Sequence, residues 1–313
     1  MSRHQIFGID CGASKVMAQS AIYDSKSNLI SPDKINLEYN YSTSNDWDPN
    51  FNPVPIKIQI KEQKNEIFNL TKEEKIQSKI IIKTIQKIIS KIKSTSIGLC
   101  YPGLKNKSGI ILMANGPRIP NLISKIPKIS TIYNDSDCCL YGEINSTIGK
   151  IKKSKHVVYI GGGTGIADGI ILNGKIIDFN IDTDIKKSWE LLLPSKRTIE
   201  SCLSPNGIIT AWNKKNMNKI KSLYDLEDIP NSKSIFKTAS KAFSYLIKNR
   251  TIFFKKYNST IEKIVIGQRL GEFLKNCKPE TRAMFELKTN IPIEYSSDRR
   301  TAALGAAWMM LCS

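Results

Sequence analysis

The chain opens on "HQIFGIDCGASKVMAQSAIYD", His4 to Asp24, where two mainly apolar and small-residue runs flank Asp10-Cys11-Gly12. That pattern predicts a strand, a glycine turn and a second strand. Residues 25–55 are polar and rich in Asn, Ser, Asp and Pro, and read as a long loop or as extra strands on a sheet edge. From Thr71 to Lys93, Ile76, Ile80, Ile81, Ile85, Ile88, Ile89 and Ile92 recur at helical spacing with Lys and Gln between them. This predicts a helix, and a core-facing one fits better than a membrane-surface one. "TSIGLCYPG" is a short buried strand stopped by Pro102-Gly103. "ISTIYNDSD" is another, running into a polar cluster where Asp135 or Ser136 can cap a helix.

The second half repeats the opening device. "VVYIGGGTGIADGIILNGKII", Val157 to Ile177, is again apolar sequence, a glycine turn and more apolar sequence. Helical segments follow from about Ser195 to Asn258, then strands in "IEKIVIG" and "IPIEYS", and a closing small-residue helix in "RRTAALGAAWMMLC". Strands mixed with helices in this order predict an α/β protein, and the paired hairpins predict two related halves.

Each glycine turn is a candidate phosphate site. A phosphate needs several converging N–H donors, and glycine backbone supplies them with no side chain in the way. Asp10-Cys11-Gly12-Ala13-Ser14-Lys15 adds a carboxylate and a lysine; Gly163-Thr164-Gly165 adds a hydroxyl. Neither is a Walker loop, since GxxxxGK[ST] does not occur, and neither leads into a helix as a dinucleotide fingerprint does. With a strand ending in Asn134-Asp135, they predict two phosphate cradles on opposite walls of a cleft and a carboxylate near its floor.

Composition narrows the classes. With 313 residues, 41% of them hydrophobic, the chain can bury one large core or two domains. The start does not resemble a signal peptide and no apolar run would cross a bilayer, so a cytoplasmic, membrane-free protein is the expectation. The seven cysteines form no CxxC pair and the histidines are His4 and His156, which argues against a Cys/His zinc site. Adjacent Cys138 and Cys139 read as small buried helix residues rather than a redox pair. The net charge of +19 comes from lysines spread along the chain, without an Arg-rich arm or interleaved aromatics. Solvated faces are the better reading than a nucleic-acid site, though the field would attract an anionic substrate such as a nucleotide.

The ordered motifs resemble the ROK (repressor, open reading frame, kinase) sugar kinases of the acetate and sugar kinase, heat-shock chaperone and actin superfamily. Asp10-x-Gly12-x-x-Lys15 is similar to the family's first phosphate motif, "GLCYPG" (Gly98 to Gly103) to its GxPG segment, and "NDSDCCLYGE" (Asn134 to Glu143) to its NDAN…GE segment. Gly163-Thr164-Gly165-Ile166 with Gly169 resembles its GTGIGxG turn, "ESCLS" (Glu200 to Ser204) its ExxxS, "IVIG" its adenosine-side strand, and "ALGAA" its closing helix. The resemblance implies a two-lobed actin-like ATPase fold of duplicated ribonuclease-H-like domains with a central cleft. The lobes would be 1–133, with 300–313 packing back on it, and 134–299. The family's ExGH and zinc-binding CxCGxxGC segments are missing, so no structural zinc is expected. Glu190 or Asp184 would have to replace the missing sugar grip, and Gly267-Gln268-Arg269 stands where a Gly pair is usual.

The resemblance implies an ATP- and Mg2+-dependent kinase acting on a hexose, an amino sugar or a derivative. Asp135 would be the general base and Asn134 would hold the acceptor, with Asn115, or its competitor Asn121, and Glu190 contacting the sugar. Asp10 would position Mg2+, directly or through water. Gly12, Ser14, Lys15, Gly163, Thr164 and Gly165 would hold phosphates; Gly267 and Gln268 would face the nucleoside. Glu143 and Glu200 would shape the pocket, and Trp189 would stack on a sugar ring or merely pack. Alternatives are polyphosphate as donor and a non-catalytic sugar- or nucleotide-binding protein. No helix-turn-helix precedes the first strand, which disfavours a repressor; a homodimer is compatible with the family.

Overall fold

The computed structural model describes residues 5–179, 181–182 and 184–313. His4 therefore lies outside the described residues, as do Asn180 and Thr183 of the region where the sugar grip was sought. The chain divides into two compact units: residues 1–149 with 300–313, and residues 150–299.

In the first unit the strands are β1 (Ile6–Cys11), β2 (Lys15–Asp24), β3 (Leu29–Asn40), β4 (Ile97–Tyr101), β5 (Leu104–Lys105), β6 (Ile110–Leu112) and β7 (Ile132–Asn134). The main sheet has the order β3-β2-β1-β4-β7, antiparallel through β2 and parallel from β1 to β7; β5 and β6 form a separate ribbon. The polar stretch after Asp24 thus contributes a twelve-residue edge strand, β3.

Residues i and i+2 of a strand share a face, and β1 uses both faces. Phe7 and Ile9 join Ile85, Ile88, Leu99 and Leu122 in one apolar cluster. The helix Lys72–Lys91 supplies Ile80, Ile81, Ile85, Ile88 and Ile89 to that cluster, whereas Ile76, expected in the same stripe, lies exposed in the first turn and a half. Thr71 starts it, accepting from the Glu74 N–H while Glu74 reaches back to the Thr71 N–H, a capping box. Ile6 and Gly8 face the other way, where Ile6 packs with Ala21, Ile30, Leu304 and Ala307.

That second face is closed by the helix Thr301–Cys312 at backbone contact distance. A Cβ on Gly8 would lie 1.6 Å from the Ala303 carbonyl oxygen, one on Gly98 1.9 Å from that of Ala306, and one on Gly142 1.9 Å from that of Thr301. Gly305 returns the arrangement against the Cys138 carbonyl, at 1.7 Å. Through Gly142 and Gly305 the helix Asp135–Asn145 is fastened to the closing helix. That is why the first unit extends to Gly149, past the expected lobe boundary at 133–134.

The second unit repeats the sheet. Its strands are β8 (Val157–Gly162), β9 (Ile166–Leu172), β10 (Lys175–Ile176), β11 (Lys263–Gly267) and β12 (Ile293–Tyr295), in the order β10-β9-β8-β11-β12 with the same sequence of antiparallel and parallel pairings. The helix Lys233–Lys256 lays Phe236, Phe243, Leu246 and Phe254 into a core with Val158, Ile160, Ile170, Ile264 and Ile266. Its Arg250 is fully buried and donates from Nε to Asp168 Oδ2 of β9 at 2.9 Å and from Nη2 to the Lys186 carbonyl at 2.8 Å. Asp168 Oδ1 accepts from the Ser188 N–H at 3.2 Å, so one buried pair ties the 186–188 segment to the sheet.

Two stability measurements test this account. Gly8→Ala forces the closing helix off β1, and urea unfolding should show a loss of about 1–3 kcal/mol or more. Asp168→Ala leaves Arg250 without its carboxylate, and the same assay should show a loss of about 3–5 kcal/mol.

Candidate functional site

Parallel pairing aligns the carboxyl ends of β1, β4 and β7. Asp10 lies opposite Cys100, and Tyr101 opposite Asn134. Ligands of open α/β sheets bind outside such strand ends. The Cys100 thiol donates to Asp10 Oδ1 at 3.6 Å. Its hydrogen bond with Cys138 and its burial push the Cys100 pKa well up, so it remains a neutral donor beside that carboxylate; Asp10 and Asp135 both add to the shift. The two aspartates are thus close enough to act on one thiol. Cys138 and Cys139 are buried helix residues, as their setting in the sequence predicts.

Asp135 is the first residue of the helix Asp135–Asn145, and its place is fixed by the short strand before it. The cap position falls to Asn134, whose side chain does not cap the helix. Instead the Asn134 amide is held at both ends: Nδ2 donates to Ser136 Oγ at 2.6 Å and Oδ1 accepts from Lys105 Nζ at 3.2 Å. Lys105, on β5, also donates to the Gly103 carbonyl at 2.6 Å. Burial lowers its pKa, and the charge of Asp135 works against that shift.

The β1–β2 turn is closed by the Gly12 N–H donating to the Lys15 carbonyl at 2.9 Å, and the Tyr41 hydroxyl donates to the Gly12 carbonyl at 3.1 Å. A Cβ on Gly12 would meet only that Lys15 oxygen, at 3.6 Å, so the turn is open above it. Ser14 is exposed, and the Lys15 ammonium is paired with Glu38 of β3. Asn115 and Asn121 are both exposed on the surface of the first unit.

In the second unit, Gly163-Thr164-Gly165 joins β8 to β9, with the Gly163 N–H donating to the Gly165 carbonyl at 2.9 Å. The Glu200 carboxylate supports the turn from beneath. It accepts from the Ile166 N–H at 3.1 Å and sits 2.4 Å from where a Gly165 Cβ would be. Gly267 pairs with Gly161, and the Tyr159 phenol lies over both, 2.6 Å and 2.9 Å from their absent Cβ atoms. Gln268 starts the helix Gln268–Asn276 and bridges to Gly162, bringing that helix to the turn. Arg269 follows it and donates from Nη2 to Thr164 Oγ1 at 3.4 Å. Desolvation, then the neighbouring charge of Arg299, lowers the Arg269 pKa.

The other residues singled out for the sugar have different settings. Glu190 accepts from the Lys187 N–H at 2.8 Å within its own turn, Asp184 pairs with Lys256 at 3.0 Å, and Trp189 is half exposed. Glu143 is fully buried in its helix, with Gly149 packed on its backbone. His156 bonds Asn173 at 2.9 Å, at the end of β8 remote from the turn. Among the described residues no helix is long and apolar enough to cross a membrane.

No family model matches the chain, and no curated protein matches it in sequence. Solved structures match it over nearly all its length. A ROK family glucokinase from Streptomyces griseus, in complex with glucose and AMPPNP, superposes with a TM-score of 0.64 at 13% identity, covering 99% of this chain and 100% of that one. The chain has the ROK fold. An inorganic polyphosphate/ATP-glucomannokinase from Arthrobacter sp. strain KM gives 0.61 at 13% identity, covering 99% of each. A ROK family transcriptional regulator, described as a homolog of the E. coli MLC protein, gives 0.56 at 14%, covering 99% of this chain and 79% of that one. The α/β class and duplicated actin-like ATPase architecture implied by the motifs are those observed.

On this ROK fold, the first unit brings Asp10, Asn134 and Asp135 to aligned strand ends, and the second brings Gly163, Thr164, Gly165, Gly267 and Gln268 to one turn. Sequence reasoning missed Lys105 and Arg269 as members of these groups. For Lys105 there was no signal beyond its nearness to the GxPG-like segment; for Arg269 the signal was the break in the usual Gly pair. Gln268 carries a further mark of that break: its φ of 58° is left-handed, where a side chain costs about 1–2 kcal/mol. Gln268→Gly removes that strain against a smaller entropic penalty of about 0.5–1 kcal/mol. Thermal unfolding should therefore show a net gain of about 0.5–1 kcal/mol.

Proposed function

We propose that the chain is a phosphotransferase of the ROK type, moving the γ-phosphoryl group of ATP to a hydroxyl of a hexose, an amino sugar or a derivative. The observation that carries this reading is the gathering of Asp10, Asn134 and Asp135 at adjacent strand ends. It occurs on a fold shared along its length with a glucokinase solved with glucose and AMPPNP. Phosphoryl transfer asks for positioning and charge neutralisation more than covalent help.

Asp135 accepts the proton of the acceptor hydroxyl as that oxygen bonds to phosphorus and the bond from phosphorus to the ADP oxygen breaks. Opening a helix just beyond a strand end, its carboxyl is placed by backbone rather than by a long side chain. Asn134, clamped between Ser136 and Lys105, holds the acceptor in a fixed amide orientation. Thr164 and the amides of Gly163 and Gly165 hold the donor phosphates, with Gly267 and Gln268 on the nucleoside side. Gly12, Ser14 and Lys15 serve the terminal phosphate from the first unit, and for this Lys15 must exchange Glu38 for phosphate. Asn115 and Glu190 complete the sugar contacts.

Asp10 suits Mg2+, which keeps several waters and takes one or two carboxylates together with substrate phosphates. Among the described residues no group of three or more His, Cys, Asp or Glu stands ready to hold a metal alone. When bound, the ion supplies neutralisation of phosphate charge. A polyphosphate donor is a second reading, favoured by the guanidinium of Arg269 beside Thr164 and by the fold shared with a polyphosphate/ATP-glucomannokinase.

The test is a panel of sugars assayed with ATP and Mg2+ and, separately, with polyphosphate. The wild-type chain should phosphorylate at least one sugar. Asp135→Asn should lower kcat about 10²–10⁴-fold while nucleotide affinity, read by calorimetry, stays unchanged. No turnover of any sugar with either donor, or full activity in Asp135→Asn, overturns the reading.

A further inference from the structure

The described cations buried deepest each have a carboxylate of their own. Arg118 donates to both oxygens of Glu74, at 2.8 and 2.9 Å, and Arg250 to Asp168 at 2.9 Å. This is the usual requirement for charge removed from water. Lys105 has no such carboxylate. It is half-buried, and the acceptors of its ammonium are the neutral carbonyl of Gly103 and the neutral Oδ1 of Asn134. Asp135 and Asp137 favour its charge from a distance, but no described carboxylate lies within ion-pair reach of it.

The seat of this lysine is built rather than incidental. Gly103, which receives one of its N–H groups, has φ +88°, and a Cβ there would come within 2.3 Å of the Leu112 carbonyl oxygen. Only glycine makes that turn, so the β5–β6 ribbon carries Lys105 to Asn134 by a fixed path. The position is the one the proposed reaction assigns to the acceptor: beside the amide that holds it and next to the base that deprotonates it.

We propose that Lys105 is a specificity-determining residue and that the acceptor is an anionic sugar, bearing a carboxylate or a phosphate besides the hydroxyl that is phosphorylated. The inference rests on the kinase reading above, because that reading puts the acceptor at Asn134. An anion arriving there gives the ammonium the charged partner that the folded chain withholds, and a neutral sugar does not. The distribution of hydrogen bonds agrees, since the two bonds that Lys105 makes leave its third N–H for a ligand.

The experiment compares acidic sugars with their neutral parents. Glucuronate and galacturonate supply the carboxylate arm, and glucose 6-phosphate and N-acetylglucosamine 6-phosphate the phosphate arm. Each is assayed with ATP and Mg2+ in the wild type, Lys105→Met and Lys105→Arg. We expect one arm to exceed its neutral parent at least tenfold in kcat/KM. Lys105→Met should erase that preference mainly through KM, and Lys105→Arg should largely restore it. Equal use of neutral and acidic sugars overturns the proposal. So does a Lys105→Met defect that falls equally on both, which would place the ammonium on the transferred phosphoryl group. Calorimetric binding of the same sugars to the same three proteins separates this inference from the kinase reading. Tighter binding of acidic sugars that depends on Lys105, without turnover, sinks the kinase reading and leaves Lys105 as the residue that selects an acidic sugar for binding alone. Acidic sugars that bind no tighter than neutral ones sink the inference alone.

Discussion

The contact on which the first unit depends is backbone against backbone. The closing helix Thr301–Cys312 rests on Gly8, Gly98 and Gly142 so closely that carbonyl oxygens occupy the places where side chains would begin. Such contact needs glycine on one partner and small residues on the other, and "TAALGAA" supplies them. Its effect reaches the chemistry. Gly8 is two residues before Asp10, Gly98 is on the strand that ends at Tyr101, and Gly142 is in the helix that begins at Asp135. One helix therefore sets the heights of three elements whose ends carry the candidate groups, and small errors there would be felt as misplacement of a carboxylate.

Electrostatics divides the molecule into settled and unsettled charges. Arg118 with Glu74 and Arg250 with Asp168 are buried, hydrogen-bonded on several sides and structural. The thiols of Cys100 and Cys138 are held neutral among aspartates. Lys105 and Arg269 differ, each lying against a candidate site with a neutral oxygen as its hydrogen-bond partner. For Lys105, burial lowers the pKa, which is the mark of a cation held where solvent alone does not repay it, whereas Arg269 stays exposed beside its turn.

Much of the fold was legible because its signals are local. A glycine turn between two apolar runs can be read without knowing what packs on it, and so can isoleucines at helical spacing behind Thr71. The repeat of strand order in the two units was visible as a pair of hairpins. The readings that needed more were those that depend on distant partners. Lys15 meets Glu38 only because β2 and β3 pair, and Asp168 meets a residue 82 positions on. Lys105 is one cation among 47 Lys and Arg until a glycine-only turn delivers it to Asn134. The lobe boundary moved from 133 to 149 for the same reason: the helix Asp135–Asn145 belongs with whatever Gly142 and Gly305 let it touch.

The chain leaves the first unit at Gly149 and returns to it only at Arg300. During synthesis, then, β1 and β4 emerge from the ribosome with one apolar face uncovered, and the whole second unit must be translated before the helix Thr301–Cys312 that covers them exists. Nascent first units are exposed to aggregation throughout that interval, whereas the second unit is contiguous and can close as soon as it has been made. A cell producing this protein would need to shield the early half longer than the late one.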